Sequence, residues 1–295
     1  MMEAALAISL LFSLMILGSI FRAYFSSRSW FEKFSKGLIS FIYWLLVPLT
    51  FIDTFSSRGL LKDLVLPLAS STLLIIIVWV IVKVLKIADE KSIERGVILN
   101  STIQNNLFVG FPVLFSLYGD ATMSIYFGFV AFVLVILVPD LMGRGNFYLL
   151  AFLKNPVIIG MAIGLFIHYT SPELSSYIST YFFWVPSLLS YLSIFATGLA
   201  LRMDPEPIKK YKSEVIATTA FKFILNPAVN LLLLSFFSLP HLYRNEVIIL
   251  SFMPPASLNT VMAMRYNWRP DFVASSSFLL TVVSLPIVLL VYHML

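Results

Sequence analysis

Windows rich in Leu, Ile, Val and Phe recur along this sequence, each close to the ~20 residues a helix needs to cross a hydrocarbon core of ~30 Å. They fall near residues 3–21, 37–55, 64–84, 96–117, 123–142, 155–169, 181–201, 215–237, 247–264 and 272–292, with short polar connections between them. Hydrophobic residues make up 59% of the chain and charged residues 12%, far from the roughly 45–50% and 25% of soluble domains. A water-soluble globule is excluded, and no sizeable soluble domain fits between the windows. The predicted fold class is an all-α polytopic membrane protein of ten transmembrane helices.

The loop charges test that count. Arg22, Arg28, Lys33 and Lys36, then Lys83, Lys86, Lys91 and Arg95, Arg144 and Lys154, Arg202, Lys209, Lys210 and Lys212, and Arg265 and Arg269 all fall in odd-numbered connections. The even connections hold Arg58, Lys62 and Arg244, and Lys222 lies within the eighth window. Lys and Arg concentrate in cytoplasmic loops, so both termini are predicted outside an integral plasma-membrane protein. The first window has no basic front end and no small-residue cleavage site, and reads as a retained helix.

Five similar residues, Val97-Ile98-Leu99-Asn100-Ser101, recur as Val247-Ile248-Ile249-Leu250-Ser251. Each group opens the fourth window of a five-window half, so residues 1–150 and 151–295 are expected to be two repeats. Five is odd, so the halves would enter the bilayer from opposite sides, as in many secondary transporters. The alternative is a chance match in a very apolar chain.

Both fourth windows carry polar or helix-breaking residues at mid-depth. One contains Asn100, Gln104, Asn105, Asn106, Phe108, Gly110 and Pro112, the other Pro254, Pro255, Ser257 and Asn259. Irregular backbone at that depth survives only inside protein or beside a wet cavity. Two half-helices meeting there would present free amides and partial positive charge to an anion such as a carboxylate. Alternatively, the prolines only kink helices and the asparagines tie them together.

Buried ionisable residues are costly in a membrane. Lys222, near Asn226-Pro227, could balance a bound carboxylate, pair with an acid or respond to protons, or it could snorkel to the interface. Asp53, with Thr50 and Thr54, is either a proton or cation site or an outer-surface residue beside Arg58. Asp140 is expected to pair with Arg144 at an interface.

Other chemistries find no footing. With no cysteine and three histidines, disulfides, thiolate metal sites and iron-sulfur ligation are excluded, and no metal or cofactor is expected. Walker A, His-Glu-x-x-His and Gly-x-Ser-x-Gly patterns and aspartate-rich pairs are absent from the sequence, so no enzyme activity is expected. The basic loops are short, which argues against nucleic acid as a partner.

Taken in order, Val47-Pro48-Leu49, Asn105 to Leu107 with Gly110-Phe111-Pro112 and Tyr118-Gly119, Asn155-Pro156, Phe195 to Leu199, Asn226-Pro227-Ala228-Val229, and Met253-Pro254-Pro255-Ala256 through Tyr266-Asn267 and Pro270-Asp271 resemble the auxin efflux carrier family, with its plant carriers and prokaryotic permeases, nearly end to end. The resemblance implies inverted five-helix repeats divided between a scaffold and a transport domain, with helices four and nine crossing at the substrate site. It implies that Asn100, Asn105, Phe108 and Ser257 face substrate and that Pro254 lies at the crossover. Thr50 or Asp53 stands in for a substrate-facing serine. Gln104 replaces an expected proline, which predicts a softer break in helix four, and the third window lacks the acid and lysine of plant members.

The expected function is secondary transport of a small organic anion, an auxin-like acid or a dicarboxylate such as malate, by alternating access. The expected partners are that anion, the lipid bilayer and a second copy in a homodimer. A sodium-coupled symporter of the bile-acid carrier type and a non-transporting membrane sensor are the alternatives.

Overall fold

The computed structural model describes residues 2–59, 64–143, 153–201 and 204–295, and the described secondary structure is helical apart from one isolated bridge. The helices are α1 (Met2–Phe25), α2 (Phe31–Arg58), α3 (Val65–Val84), α4 (Lys91–Thr102), α5 (Asn106–Tyr118), α6 (Thr122–Gly143) and α7 (Pro156–Thr170). They continue as α8 (Glu173–Tyr181), α9 (Val185–Ala200), α10 (Pro205–Lys210), α11 (Lys212–Leu234), α12 (His241–Leu250), α13 (Leu258–Tyr266) and α14 (Pro270–Met294). Five of these, α1, α2, α3, α11 and α14, are long and apolar enough to cross a membrane, and α8 with α9 forms a sixth such unit bent by 52°. Shorter apolar helices occupy α5, the first part of α6, and α7. Arg144, and with it the expected Asp140 pair, lies outside the described residues, as do Lys62 and Arg202.

Prolines explain the irregular turns. π-helical turns at Ile42–Leu46, Asn106–Gly110 and Phe221–Leu225 each end just before an X-Pro step, at Pro48, Pro112 and Pro227. A proline has no amide to donate, and its ring displaces the carbonyl four residues back. The ladder shifts to i−5 bonds, in which the amides of Val47, Phe111 and Asn226 reach the carbonyls of Ile42, Asn106 and Phe221. Asn226-Pro227 therefore follows a widened turn within a continuous α11 and does not break it. A separate short helix precedes the seventh window: α8 stops at Tyr181, and α9 starts with Pro186 in its first turn.

Two packing groups emerge. In one, α2 lies along α7, α1 along α9, and α9 also touches α2. The approach is close enough to require glycine. A Cβ at Gly160 of α7 would sit 2.7 Å from the Pro48 carbonyl oxygen, one at Gly164 would sit 2.8 Å from the Phe55 Cβ, and Gly18 of α1 meets Gly198 of α9 backbone to backbone. The second group is built from α3, α4, α6 and α10 to α14, with α5 packed on α6. The groups meet chiefly where α5 lies against α9 and α1.

Candidate functional site

The breaks in the fourth and ninth windows touch. The chain leaves α4 at Ile103 in extended conformation, crosses the 251–257 segment, and re-enters helix at Asn106. Gln104 and Pro255 form an antiparallel bridge, with Asn105 N donating to Pro254 O at 2.8 Å and Ala256 N to Ile103 O at 3.0 Å. Gln104 does not soften the break, because these two bonds satisfy the backbone across the crossing that an intact helix would have satisfied along its own axis.

The freed carbonyls find side chains, as burial requires. Asn259 Nδ2 donates to Leu99 O, Ile103 O and Asn100 Oδ1 at 3.1–3.2 Å. Asn226 Nδ2 donates to Ser251 O at 2.5 Å, Ser284 Oγ to Phe252 O at 2.6 Å and Ser124 Oγ to Asn106 O at 2.6 Å. Asn100 donates to Val273 O and Ser276 Oγ and accepts from Ser277 Oγ. Asn100 and Asn259 are fully buried, and their bonds hold the two half-helices together. In this conformation Asn100 lines none of the three cavities described below, although its partner Ser277 lines one.

The crossing brings together Gln104, Asn105, Asn106, Phe108 and Ser257 around a small cavity of about 60 Å³. Asn105 Oδ1 accepts from Phe108 N at 3.2 Å, capping α5, and its Nδ2 donates to Ser257 Oγ at 3.3 Å. The N-termini of α5 and α13 both open here, and their remaining first-turn amides have no intrahelical acceptor. Gln104 Oε1, Asn106 Oδ1 and Asn259 Oδ1 are buried oxygens without a donor. Pro255 and Ser257 also line a second cavity of about 580 Å³, which runs between α1 and α9 on one side and α13 and α14 on the other, to Arg22, Asp204 and Asp271 at one face of the molecule.

Thr50 and Asp53 do not join the crossing. They line a third cavity of about 230 Å³ at the opposite face, beyond Phe111 and Phe115. Thr50 Oγ1 donates to Leu46 O, and Asp53 accepts from Ser179 Oγ at 2.6 Å. Arg58 pairs with Asp120 rather than Asp53.

Lys222 is fully buried in the π turn of α11, and its Nζ has no hydrogen-bond partner. It does not snorkel. The turn packs against α4. The sequence reading passed over Asp120, Tyr243 and Glu246. A lone acid directly before the apolar run at Val247 was the available signal for Glu246.

Two interrupted helices that cross within a helical membrane protein, with cavities on either side of the crossing, are the arrangement of a transporter. Residues 144–292 match the family described as membrane transport protein, and the chain is a member of that family, the auxin efflux carriers. It is also similar to a protein of Methanocaldococcus jannaschii described as an uncharacterized transporter, with 25% identity over 280 residues covering 88% of this chain and 89% of the relative.

Proposed function

We propose that this chain is a secondary transporter that moves a small organic anion, a carboxylate such as an auxin-like acid or malate, by alternating access. The carrying observation is that the α5 and α13 N-termini meet at one small cavity beside Asn105 and Ser257, where two helix dipoles favour negative charge. Lys222 adds a buried amine on the turn packed against α4, one that a bound anion could charge.

Ten crossings in two inverted repeats, 1–150 and 151–295, complete this reading. A 150-residue offset carries the Gln104–Pro255 pair onto Pro254–Asn105, which is the neighbouring contact of the same crossing. With both termini outside, Arg22, Asp204 and Asp271 lie on the cytoplasmic side, so the 580 Å³ cavity opens inward. The α1, α2, α7 and α9 group is the scaffold, the remainder is the moving body, and two copies assemble in the plasma membrane.

Purified protein in liposomes, tested with a carboxylate panel under imposed proton and sodium gradients, checks this. Asn105→Ala removes the α5 cap at a cost of about 1 kcal/mol and should abolish substrate-dependent uptake in protein that still folds. Unchanged uptake rejects the site. One observation favours a second reading, sodium symport: three orphan amide oxygens, on Gln104, Asn106 and Asn259, lie at the crossing, and oxygens are the ligands of hard cations. Uptake driven by a sodium gradient selects that reading.

A further inference from the structure

At the face opposite the large cavity, the two packing groups are tied by a cluster of charges. Arg58, at the end of α2, donates to Asp120 Oδ2 and to the Tyr243 hydroxyl, and its guanidinium lies over the Tyr243 ring at 5.6 Å. Arg58 belongs to the first group. Asp120, between α5 and α6, and Tyr243, on α12, belong to the second. Behind them sits Glu246 of α12, fully buried. Its Oε2 accepts from Met123 N at 2.8 Å, the amide next to that of Thr122, which donates to Asp120 Oδ1 at 2.8 Å, while its Oε1 has no donor.

Two carboxyls this close, one of them without water, cannot both carry charge cheaply. A proton between Glu246 Oε1 and Asp120 supplies the missing donor and leaves one negative charge for Arg58. The other titratable or charged groups on the elements packed around Glu246 do not supply that donor. Tyr118 Oη has no partner of its own, Tyr292 packs at a tilt against Tyr118, His293 lies against Tyr292, and Arg244 donates to Leu234 O. On α12 itself, His241 is exposed in the first turn.

We infer that Asp120 and Glu246 form a proton-binding pair which, through Arg58, latches the outer face shut. With one proton on the pair, Asp120 stays anionic and holds Arg58 across the boundary between the groups. A second proton, delivered from outside water through the 230 Å³ vestibule, neutralises Asp120. Arg58 keeps its charge and its contact with Tyr243 but loses its anionic partner, which weakens the tie enough for the groups to part. By linkage, parting raises the proton affinity of the pair, so outer opening and proton uptake are one event. The assignment of this face to the outside, and of the groups to scaffold and moving body, rests on the proposed transporter reading.

The chain has no cysteine, so a single one placed at Phe115 on the vestibule wall reports opening by its rate of thiol labelling, with no solute present. Labelling of Phe115→Cys, divided at each pH by the rate of the same protein unfolded in denaturant so that loss of thiolate cancels, should quicken as pH falls from neutral to mildly acid, by at most about tenfold per pH unit for a one-proton event. Adding Asp120→Asn, which keeps the Oδ1 that accepts from Thr122 N, should give fast labelling at every pH. Glu246→Gln, whose amide stands in for the protonated carboxyl, should label slowly at neutral pH and keep the parent's rise. A flat profile in the parent, or slow labelling of Asp120→Asn at neutral pH, overturns the latch. Because this readout needs no cargo, a pH-dependent profile without carboxylate uptake would sink the transport reading alone, and uptake with a flat profile would sink the latch alone.

Discussion

Alanine at Gly160 and alanine at Gly37 should shift the stability of this chain in opposite directions. At Gly160 the new methyl would stand 2.7 Å from the Pro48 carbonyl oxygen and 2.9 Å from the Pro48 Cα, whereas comfortable carbon contacts begin near ~3.5 Å. Both obstacles are backbone, so no rotamer change relieves them, and α7 must back away from α2 by roughly 0.7 Å. Overpacking of this kind costs about 1–3 kcal/mol. The helix-interior gain of alanine over glycine returns about 0.5–1 kcal/mol, which leaves a net loss of up to about 2.5 kcal/mol. At Gly37 nothing lies within 4 Å of the added atom, so only the gain of about 0.5–1 kcal/mol remains. Thermal unfolding of the purified protein in one detergent should place the Gly160→Ala midpoint below the parent and the Gly37→Ala midpoint above it. The packing argument fails if Gly160→Ala melts at or above the parent, or if Gly37→Ala falls as far.

Lys222→Met replaces a buried amine lacking any acceptor with an apolar chain of similar length. It should raise the melting midpoint by an amount equivalent to about 1–3 kcal/mol, while carboxylate uptake in liposomes is lost. A lower midpoint would mean that the amine has a stabilising partner. Asn259→Ala removes one amide from three acceptors at the crossing. Stability should fall by about 1–3 kcal/mol, and hydrogen exchange at the Asn105 and Ala256 amides should quicken. Unaltered exchange at those two positions would show that the crossing holds without it.

The parts of this architecture that the sequence disclosed are those with local causes. The apolar windows located the long helices, and Pro254-Pro255 located the break in the ninth, because a proline acts on its own turn. Gln104 misled, because its break is held open by amide and carbonyl partners 150 residues away, which no local rule reports. The bend before α9 has no signature among the windows, because Glu173–Tyr181 is too polar to extend the seventh one, and only Pro186 marks the start of α9. Lys222 and Asp53 kept alternatives open for the same reason: whether a charge is buried depends on what other helices place around it. Asn105 and Ser257 were legible as polar residues at depth, but the Asp120–Glu246 neighbourhood joins residues over a hundred positions apart.

The bridge at Gln104 and Pro255 fastens α4 to the segment leading into α13 at their midpoints, and Asn259 and Asn100 rivet the same joint. Four half-helices thus behave as a single cross-shaped strut. Any rearrangement that moves cargo must carry this strut whole past α1 and α9, sliding on the close-fitting wall of α5, because hinging at the interruptions would tear both hydrogen bonds that span them.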